Sequence, residues 1–441
     1  MSATPSETQS LHRTLGLLEA TVGGVGVILG AGIYALVGEV AGRAGNGLWI
    51  SFTLAAVMAS LVGLGYAEMS SAVPQAGADY EYTRRALGQR AGFVVGWLMV
   101  IANLVAAAAV ALGFGAYLHT FVDVSPTLSA VVALVVATLV AFLGVKQAVW
   151  VSIVMTVVEV AGLVFIIAIG VPHLGDTNLL EIDKGAAGVF SGAALVMFAF
   201  IGFTEIATLA EETRDAKVVP RAMLLAVAAT TAIYLAVAVT SVSVLGWRAL
   251  SETEAPLAAV AGEVLGRRSS DFIAVVALFS TWNTVLLVLV AGSRLIYGMA
   301  STRALPRFLA WVHPQARTPV RAIGVCLVVS LGFALSGDIS LVASATNFAV
   351  FIAFGAVNLS VIVLRFTQPD LPRPVRIPIS IGRLPVIPVL ALVAVVFMLA
   401  NLDRSALLIG LGLFISGVVA MEVLSLWRPQ EDPASDPDHV T

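Results

Sequence analysis

Gly23-Gly24-Val25-Gly26-Val27-Ile28-Leu29-Gly30-Ala31-Gly32-Ile33-Tyr34 is an apolar stretch that undermines its own helix. Glycine weakens a helix interior, and Gly30-Ala31-Gly32 puts three small residues together near its middle. A second stretch, Phe198-Ala199-Phe200-Ile201-Gly202-Phe203-Thr204-Glu205, holds one glycine among large aromatics. Both lie in runs apolar enough to cross a bilayer, where unpaired backbone is tolerated only when it lines a cavity or is buried in protein. Interrupted spans at corresponding places of two halves point to the binding site of a secondary transporter. The plainer alternative is that these glycines let helices pack closely, as small residues commonly do in membranes.

Composition sets the class. Of the 441 residues 59% are hydrophobic and 12% charged, and the mean hydropathy of +0.98 is too high for a soluble domain. A net charge of −3 carries no basic footprint for nucleic acid. Cys326 is the single cysteine, so neither an internal disulfide nor a cysteine metal site is expected. His12, His119, His173, His313 and His439 are scattered without ligand spacing, and no zinc or catalytic site is expected. The N-terminus lacks the charged region, short apolar core and cleavage site of a signal peptide.

Runs of roughly 17–25 apolar residues are needed to cross the bilayer, and twelve are read here. With edges uncertain by about two to four residues, the first six are 15–37, 48–70, 93–121, 126–144, 149–171 and 187–210. The second six are 222–246, 272–300, 319–336, 340–364, 386–401 and 404–427. The long third run is the one whose splitting would change the count. With this assignment 18 of the 24 lysines and arginines fall on one side, which places both termini in the cytoplasm of a cell-membrane protein. Residues 1–12 and the acidic, proline-rich 428–441 are too poor in apolar residues to pack and are expected to be disordered.

If the first span unwinds at Gly30-Ala31-Gly32, the half-helix that follows presents free N–H groups, a ready site for a carboxylate. Carbonyls freed near Phe198–Ile201 would accept from an ammonium, and Phe198, Phe200 and Phe203 would cover the substrate or close an access path. Together the breaks suit a zwitterion.

The segment Gly26–Tyr34 resembles the first-helix motif of the amino acid–polyamine–organocation (APC) transporter family. Tyr66-Ala67-Glu68-Met69 with Pro74-Gln75-Ala76-Gly77-Ala78-Asp79-Tyr80-Glu81-Tyr82 is similar to the stretch joining its second and third spans. Phe198–Ala207 with Glu211-Glu212, Ser293–Ala300 with Leu305-Pro306-Arg307-Phe308, His313-Pro314 with Arg317–Val320, and Val361–Arg365 with Pro369–Pro378 follow in family order. The likeness covers about residues 13–380, and the order and spacing of the motifs are more specific than any one of them.

The resemblance implies an all-α membrane protein of twelve helices. Five plus five form an inverted repeat (about 13–171 and 187–365), with helices one and six discontinuous and two further helices at about 386–427. It implies alternating access and amino acid transport, by proton coupling or exchange. The substrate carboxylate would meet amides of Gly30, Ala31, Gly32 and Ile33. Its ammonium would meet carbonyls of Phe198, Ala199 and Ile201, with Phe198 over the substrate and Phe203 close by.

Acids inside spans are costly and usually functional. Glu159, mid-way along the fifth span, is read either as a coupling group or as a structural, protonated carboxyl. Some proton-coupled relatives carry a lysine near this point in place of a sodium ion, so the acid here departs from their pattern. Glu205, just after the second break, is read either as a proton-linked or gating group or as a helix brace. Glu68 is read as structural, Glu211 and Glu212 as solvated partners of Arg214, and Arg294 as snorkelling to water or pairing across the bundle. Asn103, Thr284 and Thr346 are among the span hydroxyls and amides expected either to line the cavity or to brace helices; Ser293 is a weak candidate for a sodium site. The proton is the expected coupling ion, with sodium open. No other cofactor is expected, and the partners are an amino acid and the bilayer. A membrane enzyme would place His or Asp clusters near one interface, and a channel would show repeated polar rings. An amino acid sensor with the same site but no flux is the remaining alternative.

Overall fold

The computed structural model describes residues 16–30, 32–73, 78–143, 145–208, 215, 217–314, 316 and 318–426. They form an all-α, multi-pass membrane protein. The chain begins with α1 (Leu17–Leu29), whose first turn is capped by Glu19 accepting the Gly16 N–H at 3.0 Å, and continues as α2 (Gly32–Ala44). Then come α3 (Leu48–Ala72), the short polar α4 (Ala78–Leu87), α5 (Gln89–His119), α6 (Pro126–Leu143) and α7 (Val145–Gly170). The long run at 93–121 is therefore one unbroken helix. Next are α8 (Gly185–Phe200), a 3-10 turn over Ile201–Thr204, and α9 (Glu205–Thr208). A long α10 (Val218–Glu252) follows, bent where Gly246 takes φ 72°. The remainder comprises α11 (Pro256–Leu265), α12 (Arg267–Ser301), α13 (Val320–Ala334) and α14 (Ile339–Thr367). A two-residue hairpin, β1 (Ser380–Ile381) with β2 (Leu384–Pro385), leads into α15 (Val386–Ala400) and α16 (Arg404–Leu426). Among the described residues eight stretches are long and apolar enough to cross a membrane, and five shorter apolar helices accompany them.

Position in the bundle follows from burial. The α5 helix is buried on nearly all sides and forms the centre. Val132, Leu139, Leu411, Ile415 and Val419, on α6 and α16, are exposed, the normal state of side chains that face hydrocarbon.

Each end of the bundle is fastened by an arginine. At one end Glu68 on α3 is 1% exposed and accepts from Arg365 on α14, at 2.9 Å from Nε and again from its second nitrogen. The Ile377 N–H donates to the same carboxylate at 2.8 Å, and Arg373 lies 3.4 Å from it. Arg365 also donates to Ser380 at 2.6 Å, so the hairpin segment is clamped over the end of α3. At the other end Arg43 on α2 donates to Ser191 on α8, to Ser340 on α14 and to Asp403 just before α16. Removing one partner of a buried pair strands the other charge. Glu68→Ala is therefore expected to cost about 3–5 kcal/mol, read as a large fall in the unfolding temperature of the detergent-purified protein.

Candidate functional site

Between α1 and α2 the backbone leaves the helix at Gly30, with φ 24° and ψ −161°. That positive φ is readily adopted only by glycine. Ala31, the middle of the three small residues, lies outside the described residues. The helix restarts at Gly32, so the first N–H groups of α2 have no partner within it. In the second interrupted span the helix tightens rather than opens: α8 runs to Phe200 and Ile201–Thr204 continue as 3-10 turns.

The two interruptions press against each other. A Cβ on Gly32 would lie 2.6 Å from Cα of Ala199, and one on Gly202 would lie 2.5 Å from the Val27 carbonyl oxygen. No side chain fits at either contact. A third helix joins them: the Tyr234 hydroxyl on α10, fully buried, lies 2.7 Å from the Ile28 carbonyl, 2.8 Å from Leu29 and 3.1 Å from Ala199. The Phe198 carbonyl takes the Ile201 N–H, and the Ile201 carbonyl takes the Thr204 hydroxyl at 3.1 Å. These oxygens are engaged rather than free, but each carbonyl keeps a second lone pair.

Both interruptions line one cavity of about 90 Å³. Val27, Ile28, Gly30 and Gly32 come from the first interrupted span, and Phe198, Ala199, Ile201 and Gly202 from the second. Met99, Ala102, Asn103, Ala106 and Val110 on α5 supply the facing wall, with Thr284 and Val288 on α12 and Thr346 and Val350 on α14. Five of the eight residues read from the sequence as substrate-binding thus meet here: Gly30, Gly32, Phe198, Ala199 and Ile201.

Two others do not line it. Ile33 is fully buried, and only its backbone belongs to the start of α2. Phe203 is fully buried in an aromatic cluster, its ring 5.9 Å from Tyr66 and 5.3 Å from Phe354. Ile201 and Gly202 line the cavity, whereas Phe203, next along the 3-10 turn, belongs to the packing behind it. The side chain of Glu205 lies outside the described residues, as do Glu211, Glu212 and Arg214.

Glu159 on α7 stands beside the cavity, not in its wall. It is 1% exposed; its carboxyl accepts from the Ser280 hydroxyl at 2.6 Å, and its backbone carbonyl accepts from Tyr34 on α2 at 3.0 Å. Among the described residues no lysine or arginine pairs with it. Ser280 in turn offers its carbonyl to the Thr284 hydroxyl at 3.0 Å, and Thr284 faces both Gly30 and the cavity. Asn347, fully buried on α14, donates to the carbonyls of Ala194 and Leu195 on α8, bracing the helix ahead of its 3-10 turn.

The sequence reading missed Tyr234 and the apolar wall of α5. A tyrosine in the middle of an apolar run was the available signal for the first, because a buried phenol needs a hydrogen-bond partner.

The sequence pattern of the family described as amino acid permease matches residues 15–419. The branched-chain amino acid permease of Bacillus subtilis (strain 168) is 30% identical over 423 residues, 91% of this chain and 90% of that one. The methylthioribose transporter of the same organism is 28% identical, covering 88% and 87%. The cationic amino acid transporter 4 of Mus musculus is 30% identical, covering 82% of this chain and 61% of its own.

Proposed function

Because the chain belongs to the amino acid permease family, whose members here are transporters and not enzymes, we propose that it is a secondary active amino acid transporter working by alternating access. The observation that carries this is the meeting of two interrupted spans, glycine against backbone, on the wall of one cavity. The relatives' names divide among branched-chain amino acids, cationic amino acids and methylthioribose. They support a small organic solute and leave the side chain open.

The substrate carboxylate takes the N–H groups at the start of α2, from Gly30 through Ala31 and Gly32 to Ile33, where the helix dipole favours an anion. The ammonium takes the remaining lone pairs of the Phe198, Ala199 and Ile201 carbonyls, and Phe198 closes over it. The architecture in this reading has twelve spans, with α1 to α7 and α8 to α14 as inverted halves and α15 and α16 added. Both termini are in the cytoplasm of a cell-membrane protein, the side favoured by the lysine and arginine count.

Coupling is to the proton. Glu159 has no cationic partner among the described residues, and a carboxylate buried alone in a bilayer is costly. It is neutral when loaded with a proton, and the Ser280–Thr284 step on α12 links it to the substrate cavity. Glu205 is the second acidic position in this reading, a gating group after the second interruption.

Uptake of labelled amino acids into proteoliposomes holding the purified chain tests the proposal. Concentrative uptake driven by an inward pH gradient, without sodium, is expected. Saturable binding without flux would instead make the protein an amino acid sensor.

A further inference from the structure

We infer that the side chain accepted by this cavity is uncharged and aliphatic, of the valine, leucine and isoleucine class; this rests on the amino acid reading above. The backbone ends of the substrate are assigned to the helix interruptions, so its side chain must lie against what remains of the lining. That remainder is Met99, Ala102, Ala106 and Val110 on α5, with Val288 and Val350 opposite.

Three polar side chains interrupt the apolar wall, and each gives a donor to its own helix backbone, which leaves oxygens and the second Asn103 N–H but no full charge facing the cavity. The Asn103 amide donates to the Met99 carbonyl at 2.9 Å, the Thr284 hydroxyl to Ser280 at 3.0 Å, and the Thr346 hydroxyl to Val342 at 3.1 Å. Each bond returns to the carbonyl four residues earlier on its own helix. The hydroxyl protons are thus spent on backbone, and no cation or carboxylate is found among the described lining residues. Among these residues a lysine or arginine side chain would find no counter-ion, and a glutamate side chain no cation. Burying an unpaired charge is far more costly than burying a methyl group.

The same wall discriminates weakly among its own class. One methylene in an apolar pocket is worth about 10–200-fold, so valine should differ from the isomers leucine and isoleucine by no more than that, while charged amino acids fall below all three.

Competition for labelled isoleucine uptake in proteoliposomes, with valine, leucine, lysine, arginine and glutamate as competitors, tests this. The three charged amino acids are expected to need at least about 100-fold higher concentrations to compete. Competition by lysine or arginine at the concentrations of leucine would overturn the inference. Asn103→Asp adds a carboxylate at nearly constant volume and should bring lysine to within about 10-fold of isoleucine. If the variant assembles and the ratio does not move, the substrate side chain does not lie against α5, and this placement is wrong. If it does not assemble, the wild-type panel decides. Ligand-induced thermal stabilisation separates the two levels of the argument. Isoleucine binding without flux removes the transport reading and keeps the side-chain class, whereas no binding of any amino acid removes both.

Discussion

Gly32→Ala is expected to abolish uptake while the protein still folds and purifies as a single species. The added methyl would lie 2.6 Å from both Cα and Cβ of Ala199, closer than real Cβ atoms come to any neighbour, and one of its two obstacles is backbone. Relief requires the start of α2 to move away from the end of α8. Such overpacking costs about 1–3 kcal/mol of stability, which a membrane bundle of this size survives. Its effect on the site is larger, because a misplacement near 1 Å can cost about 100-fold in rate, and here the misplaced groups are the donors proposed for the carboxylate. Uptake and isoleucine-induced thermal stabilisation should both fall at least about 100-fold in apparent affinity. Unchanged uptake by a well-folded Gly32→Ala protein would mean that the carboxylate is bound elsewhere.

The second large effect is expected at Glu159. Glutamine there keeps the size of the side chain and an oxygen to accept from Ser280, and Tyr34 bonds the backbone, which the substitution does not touch. The packing is therefore retained, and what is lost is the ability to take up and release a proton. If Glu159 carries the coupling proton, as proposed, uptake in the wild type should rise as the outside pH falls. In Glu159→Gln that dependence should flatten and gradient-driven accumulation should be largely lost. Exchange of labelled for unlabelled substrate across the same liposomes should persist. A preserved pH profile would remove Glu159 from coupling and leave it as a hydrogen-bonded brace between α7 and α12.

The positions of the two interruptions were legible in the sequence because glycine is informative where the backbone must do something unusual. Gly30 adopts a positive φ, and Gly32 and Gly202 sit where backbones touch. The kind of interruption was not legible. Whether a span opens or tightens depends on tertiary contacts, and so does the packing of Phe203 against Tyr66 and Phe354. The apolar wall was hidden for a different reason. A helix buried on nearly all sides, as α5 is, has no apolar stripe, so hydrophobic periodicity cannot say which residues face the site. Tyr234 is read only from the structure, since three carbonyls from two distant segments meet at its hydroxyl. Glu159 stood out because acids in spans are rare, but its neighbour Ser280 comes from another helix.

The two arginine fasteners differ in how far water reaches them. Glu68 and Arg365 have side chains exposed by 1% and 2%, whereas Arg43 and Asp403 are at 19% and 46%. Counter-ions screen exposed charges over about 8 Å at physiological ionic strength, while buried pairs are screened much less. The electrolyte on one face of the membrane therefore screens the Arg43–Asp403 pair that ties α2 to the start of α16, whereas the electrolyte on the other face reaches the Glu68 clamp far less. The two sides of this bundle are chemically unequal.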